Sequence, residues 1–116
     1  MARHGTVKRL ADNHETHIAA LYDGIKSPSS GGAASDAGDV RTDTHLIECK
    51  LTGTPGVKPK RIPKMIQELE KIADEAHAEG RDPILCLRYY HPDSRLANRD
   101  GWLDLSVKLT TDDVNG

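Results

Sequence analysis

Gly38-Asp39-Val40-Arg41-Thr42-Asp43-Thr44-His45-Leu46-Ile47-Glu48-Cys49-Lys50-Leu51-Thr52 is the segment around which the rest of the chain can be ordered. Read as two short strands, Gly38–Thr42 and His45–Thr52, with Asp43-Thr44 as the turn, it pairs Thr42 with His45, Arg41 with Leu46, Val40 with Ile47 and Asp39 with Glu48. Side chains alternate along a strand, so Val40, Ile47, Cys49 and Leu51 form an apolar face. Asp39, Glu48 and Lys50 fall on the other. Directly opposed residues stand about 4.5–5.5 Å apart at Cβ, so two carboxylates are expected side by side with an ammonium roughly 6.5–7 Å along the same strand. Like charges that close raise the pKa of one acid unless a cation lies between them. A hard divalent ion such as Mg²⁺ relieves the repulsion, with one or two carboxylates and waters as its ligands. The Cys49 carbonyl, between Glu48 and Lys50, is a further candidate ligand.

On the N-terminal side, Val7, Leu10, Ala11, His14, Ile18, Leu21, Tyr22 and Ile25 recur at helical spacing, with Gly24 as a stop. Glu15 falls at the edge of that stripe. Ser27 to Gly38 is rich in Gly and Ser and reads as a mobile loop. On the C-terminal side, Thr52–Arg61 reads as a basic loop punctuated by Pro55 and Pro59. A second helix follows, with Pro63 in its first turn, an apolar stripe of Ile62, Met65, Ile66, Leu69, Ile72, Ala73 and Ala76, and Gly80 at its end. The run Pro83–Tyr89 has the length and apolarity of a strand covered on both faces. Trp102–Leu109 alternates, with Leu103, Leu105, Val107 and Leu109 inward and Asp104, Ser106 and Lys108 outward. Helix–strand–strand–helix–strand–strand in 116 residues predicts a single α/β domain, a small mixed sheet flanked by two helices.

Composition narrows the function classes. No apolar run approaches the length of a membrane span, and Met1-Ala-Arg-His-Gly opens no signal segment, so a cytoplasmic protein without membrane contact is expected. Two cysteines make no disulfide framework, and Cys49 and Cys86 fall on core-facing strand positions. With 3% aromatics and no Phe the core is thin, and a second copy would help to cover it. The net charge of −2 conceals segregation: Cys49 to Gln67 holds Lys50, Lys58, Lys60, Arg61 and Lys64 with no acid, whereas Glu68 to Asp82 holds six acids. Local charge makes the field, so the basic stretch can meet phosphates while the acids line a solvated helix face. His14 and His17 lack the spacing of a zinc-protease helix and read as helix-surface residues, and the Gly31-Gly32 loop lacks a P-loop signature.

Glu15 on a helix, Ser27-Pro-Ser-Ser-Gly-Gly32, Gly38-Asp39 opening a strand, and then Ile47-Glu48-Cys49-Lys50 resemble the PD-(D/E)xK nuclease superfamily, within it the Holliday-junction resolvases of archaea and phages. Position 38 is Gly where the motif's name has Pro, and Lys26 stands where an arginine often precedes the loop. The resemblance implies a restriction-endonuclease-like core. It also implies a Mg²⁺-dependent endonuclease, with Mn²⁺ as substitute, that hydrolyses DNA phosphodiesters with a metal-activated water. Asp39 and Glu48 become metal ligands, Lys50 the catalytic lysine, Glu15 an outer acid reaching the metal or its water, and Ser30 a contact near the scissile phosphate. Branched DNA such as a four-way junction is then the expected substrate and a homodimer the expected assembly, with Lys26, Lys58, Lys60, Arg61 and Lys64 on phosphates. A non-catalytic nucleic-acid-binding module on the same fold, or a restriction-like or mismatch-directed nuclease, would share these features.

Overall fold

The computed structural model describes residues 2–27, 38–58 and 65–109. Two helices, α1 (Ala2–Tyr22) and α2 (Met65–Ala78), flank one sheet of five strands in spatial order β1-β2-β3-β4-β5. The strands are β1 (Ile25–Lys26), β2 (Val40–Arg41), β3 (His45–Thr52), β4 (Asp82–Tyr90) and β5 (Trp102–Lys108). Only β3 and β4 run parallel, joined through the crossover that contains α2; all other neighbours are antiparallel. The sheet is therefore mixed, as the order of elements requires.

The hairpin forms in the expected register, Val40 opposite Ile47 and Arg41 opposite Leu46. Val40, Ile47 and Cys49 join Ile84, Cys86 and Ile18 of α1 in one buried cluster. On the reverse face Leu46 meets Ile72 and Ala76 of α2. β3 and β4 are thus sandwiched between helices, which explains the uninterrupted apolar run of β4, buried from Pro83 to Leu87. Both cysteines are free and buried.

Four expectations change. The first helix ends at Tyr22, and Ile25 belongs to an exposed edge strand that pairs with Arg41 rather than to the helix stripe. β2 spans only Val40–Arg41 instead of Gly38–Thr42. Gly38 enters at φ 68°, a left-handed conformation that breaks the extended run. A Cβ there would also lie 2.8 Å from the Leu46 side chain, so the close approach needs glycine. The inward face of β5 is only partly covered, with Leu105 37% exposed, because α2 lies over β3 and β4. Finally, His14 is no surface residue: it is 5% exposed, with Nε2 3.2 Å from the Cys86 carbonyl oxygen, and its Nδ1 has no hydrogen-bond partner among the described residues. Burial holds the imidazole below its usual pKa, so His14 is neutral in the core. Trp102 and Tyr89 are core residues, with Tyr90 edge-on to Trp102.

Candidate active site

β3 carries the site. Glu48 and Lys50 share its α2 face, opposite Leu85 and Leu87 of β4. Asp39 is one residue outside β2, off the regular ladder, and lies close enough to Glu48 for its carboxylate to act on it. It is held there by main-chain and side-chain bonds together. The Asp39 amide donates to the Ile47 carbonyl at 2.8 Å, and Asp39 Oδ2 accepts the Cys49 amide at 2.8 Å. The side chain thus replaces a ladder bond where β2 gives out. In a strand the N–H and C=O of one residue point to the same side, so the Cys49 carbonyl also faces the edge that Asp39 occupies.

Glu48 is the electrostatically unsettled member. Its side chain is 12% exposed. Burial, then the Asp39 carboxylate, pushes its pKa up to about 7, against the pull of Lys71 and Lys50. Glu15, half-buried on α1, is raised too, first by burial and next by Asp39. Asp39 therefore acts on both Glu15 and Glu48. The four expected residues are brought to one region, yet they do not close into a cage: among the described residues, no three His, Cys, Asp or Glu side chains converge tightly enough to hold a metal by themselves. An ion here would keep much of its water, the habit of Mg²⁺. Burial raises the Cys49 thiol, which leaves it a protonated core group rather than a ligand.

Lys50 reaches two acids, Glu48 Oε2 at 3.9 Å and Glu68 Oε2 at 3.4 Å. Glu68 was expected on a solvated face. It instead turns onto β3 from the first turn of α2, one turn ahead of the buried Ile72, and that spacing was the available signal. Two further acids are engaged, Glu75 on α2 and Glu79 just past its end. Glu75 accepts the Gly38 amide at 3.2 Å, and Glu79 binds both Arg41 and Arg81. These bonds fix both ends of the short β2 segment against α2.

Of the expected phosphate contacts, Lys26 points its ammonium to Thr16 Oγ1 at 3.2 Å and acts on Glu15. Lys58 is exposed. Ser30, Lys60, Arg61 and Lys64 lie outside the described residues. A cleft of about 640 Å³ opens at the hairpin turn, lined among others by Lys26, Arg41, His45 and Arg81, away from the carboxylates; two of its cations are already engaged by Glu79. No helix among the described residues is long and apolar enough to cross a membrane. Comparison with family models, curated proteins and solved structures finds no match to the chain.

Proposed function

We propose that this chain is a Mg²⁺-dependent endonuclease with a restriction-endonuclease-like core, acting on branched DNA such as a four-way junction as a homodimer. The observation that carries the reading is Glu48, a buried carboxyl raised to about 7 chiefly by its burial and by Asp39, with the Lys50 ammonium 3.9 Å away. A cation between Asp39 and Glu48 removes that penalty, so the donor set fits a hard divalent ion. Asp39, Glu48 and the Cys49 carbonyl would hold it, with Glu15 behind Asp39. Such an ion, Mg²⁺ or Mn²⁺, supplies charge neutralisation and an acidified water when bound.

The residues of the chain do the rest. Asp39 is fixed by the Cys49 amide, so its second oxygen is directed by the backbone and not by a free rotamer. Lys50 brings a positive charge to the same groove, where negative charge develops on a phosphate under attack. Glu15, its carboxyl raised by burial and by Asp39, supplies an acid–base group beside Asp39. Lys26, Lys58 and the basic residues 60, 61 and 64 supply phosphate contacts that orient DNA without reading its sequence.

Incubation with mobile four-way junction, nicked duplex and linear duplex, with and without Mg²⁺, tests this. Paired symmetric nicks in the junction are expected. Asp39→Asn or Lys50→Ala should reduce cleavage by about 10²-fold or more, with junction binding retained. Binding without cleavage under any divalent ion would leave a non-catalytic nucleic-acid module. Wild-type cleavage in Asp39→Asn would dismiss the site.

A further inference from the structure

The lysine of the site has two acids within reach, and the nearer is not the one on its own strand. Glu68 Oε2 stands 3.4 Å from Lys50 Nζ, Glu48 Oε2 3.9 Å. The second oxygen of Glu68, Oε1, is buried and has no hydrogen-bond partner among the described residues. A carboxylate with one oxygen on an ammonium and one left bare is incompletely satisfied, and nothing in the apolar packing of α2 calls for an acid there. The pair lines a groove of about 240 Å³ with Met65, Leu85 and Leu87. That low-polarity wall strengthens the attraction between the two charges. Glu68 also lies in the first turn of α2, where the helix N-terminus favours a negative group.

We propose that Glu68 is a positioning residue, which holds the Lys50 ammonium on the α2 side of the groove and keeps it from closing onto Glu48. Without it, Lys50 has one acid left to pair with among the described residues, and that acid, Glu48, is a ligand candidate. Lysine and divalent ion would then compete for the same oxygen. With it, Glu48 stays open and the ammonium waits beside the groove where a phosphate enters. The contribution to cleavage rests on the nuclease reading above; the placement of Lys50 does not.

Two measurements on the full chain separate these. The first is the labelling of Lys50 by an amine-reactive reagent, read by mass spectrometry against the other lysines. Exposed and half-exposed ion pairs of this kind change populations by about two- to fivefold, so Glu68→Gln should lower Lys50 labelling by that factor as the ammonium closes onto the more buried Glu48, with Glu68→Asp in between. Unchanged labelling overturns the proposal whether or not the protein cuts DNA. The second is a cycle of Glu68→Gln and Lys50→Met. Glu68→Gln alone should weaken Mg²⁺ binding and lower turnover on junction DNA by about tenfold, with KM little changed. In the Lys50→Met background it should do neither. An equal loss in both backgrounds means that Glu68 only supports the fold, and overturns the positioning role. If the wild type neither binds Mg²⁺ nor cleaves, the nuclease reading falls while the labelling result still decides the placement.

Discussion

Glu48→Gln removes the charge that the fold resists and keeps the shape of the side chain. In the metal-free protein Glu48 has its pKa raised from 4.5 to about 7. A group whose pKa is higher folded than unfolded adds stability that is fully present below the unfolded value and is lost as pH rises through the folded one. For this carboxyl the loss runs from about pH 4.5 to somewhat above pH 7. At 1.36 kcal/mol per pKa unit the interval corresponds to roughly 3 kcal/mol, an order-of-magnitude figure. Glu48→Gln should therefore stabilise the metal-free protein at alkaline pH by roughly 2–3 kcal/mol, about 5–10 °C in Tm for a domain of this size. Near pH 4.5 the two proteins should unfold alike. Urea unfolding at a series of pH values, in the presence of a chelator, is the assay. The difference between the two curves matters, because His14 titrates with the opposite sign. Mg²⁺ should raise the wild-type Tm at alkaline pH and leave the variant nearly unmoved. A wild-type minus variant difference that is flat with pH would show that Glu48 bears no such strain, and the argument for a cation site would go with it.

Uptake of Mg²⁺ near neutral pH should expel part of a proton from Glu48, visible as a dependence of calorimetric heat on the ionisation enthalpy of the buffer; equal heats in all buffers would contradict the raised pKa. Gly38→Ala places a Cβ 2.8 Å from Leu46 at a positive φ, so stability should fall by roughly 2–3 kcal/mol, measured by urea unfolding. His14 is neutral in the fold, so its stabilisation holds above its unfolded pKa of 6.5 and is lost as pH falls below it. His14→Gln, which can still donate to the Cys86 carbonyl, should flatten the acid limb of the stability curve; an unchanged limb would place that loss elsewhere.

The parts of the fold legible in the sequence are those governed by one element alone. The apolar run of β4 could only be a covered strand, and the alternation around Ile47 and Cys49 settles which face of β3 is core. The hairpin register follows from its two-residue turn, so the pairing of Val40 with Ile47 and of Arg41 with Leu46 is readable. What escaped depends on partners distant in sequence. Glu68 looks like any acid on an amphipathic helix until α2 is laid across β3, where Lys50 faces it. His14 has the spacing of the stripe but polar chemistry, and only the Cys86 carbonyl 72 residues away shows why it can be buried. Asp39 leaves the ladder because Gly38 bends the chain and the Cys49 amide offers a better partner. β1 is two residues long and exists only because β2 offers an edge; no period can announce it.

The parentage of the site residues has a dynamic consequence. Glu48 and Lys50 belong to β3 and Glu68 to α2, within the parallel β3-α2-β4 unit. Glu15 and Asp39 arrive from α1 and the two-residue β2, which dock onto that unit from outside. The acids therefore meet at the short β2 edge of the sheet, where Val40 and Ile18 complete the core of the βαβ unit. Fraying of the two-residue β2 edge would part Asp39 from Glu48, so amide exchange at Val40 and Arg41 should outpace that of β4, and a bound ion should slow it by tying that edge to β3.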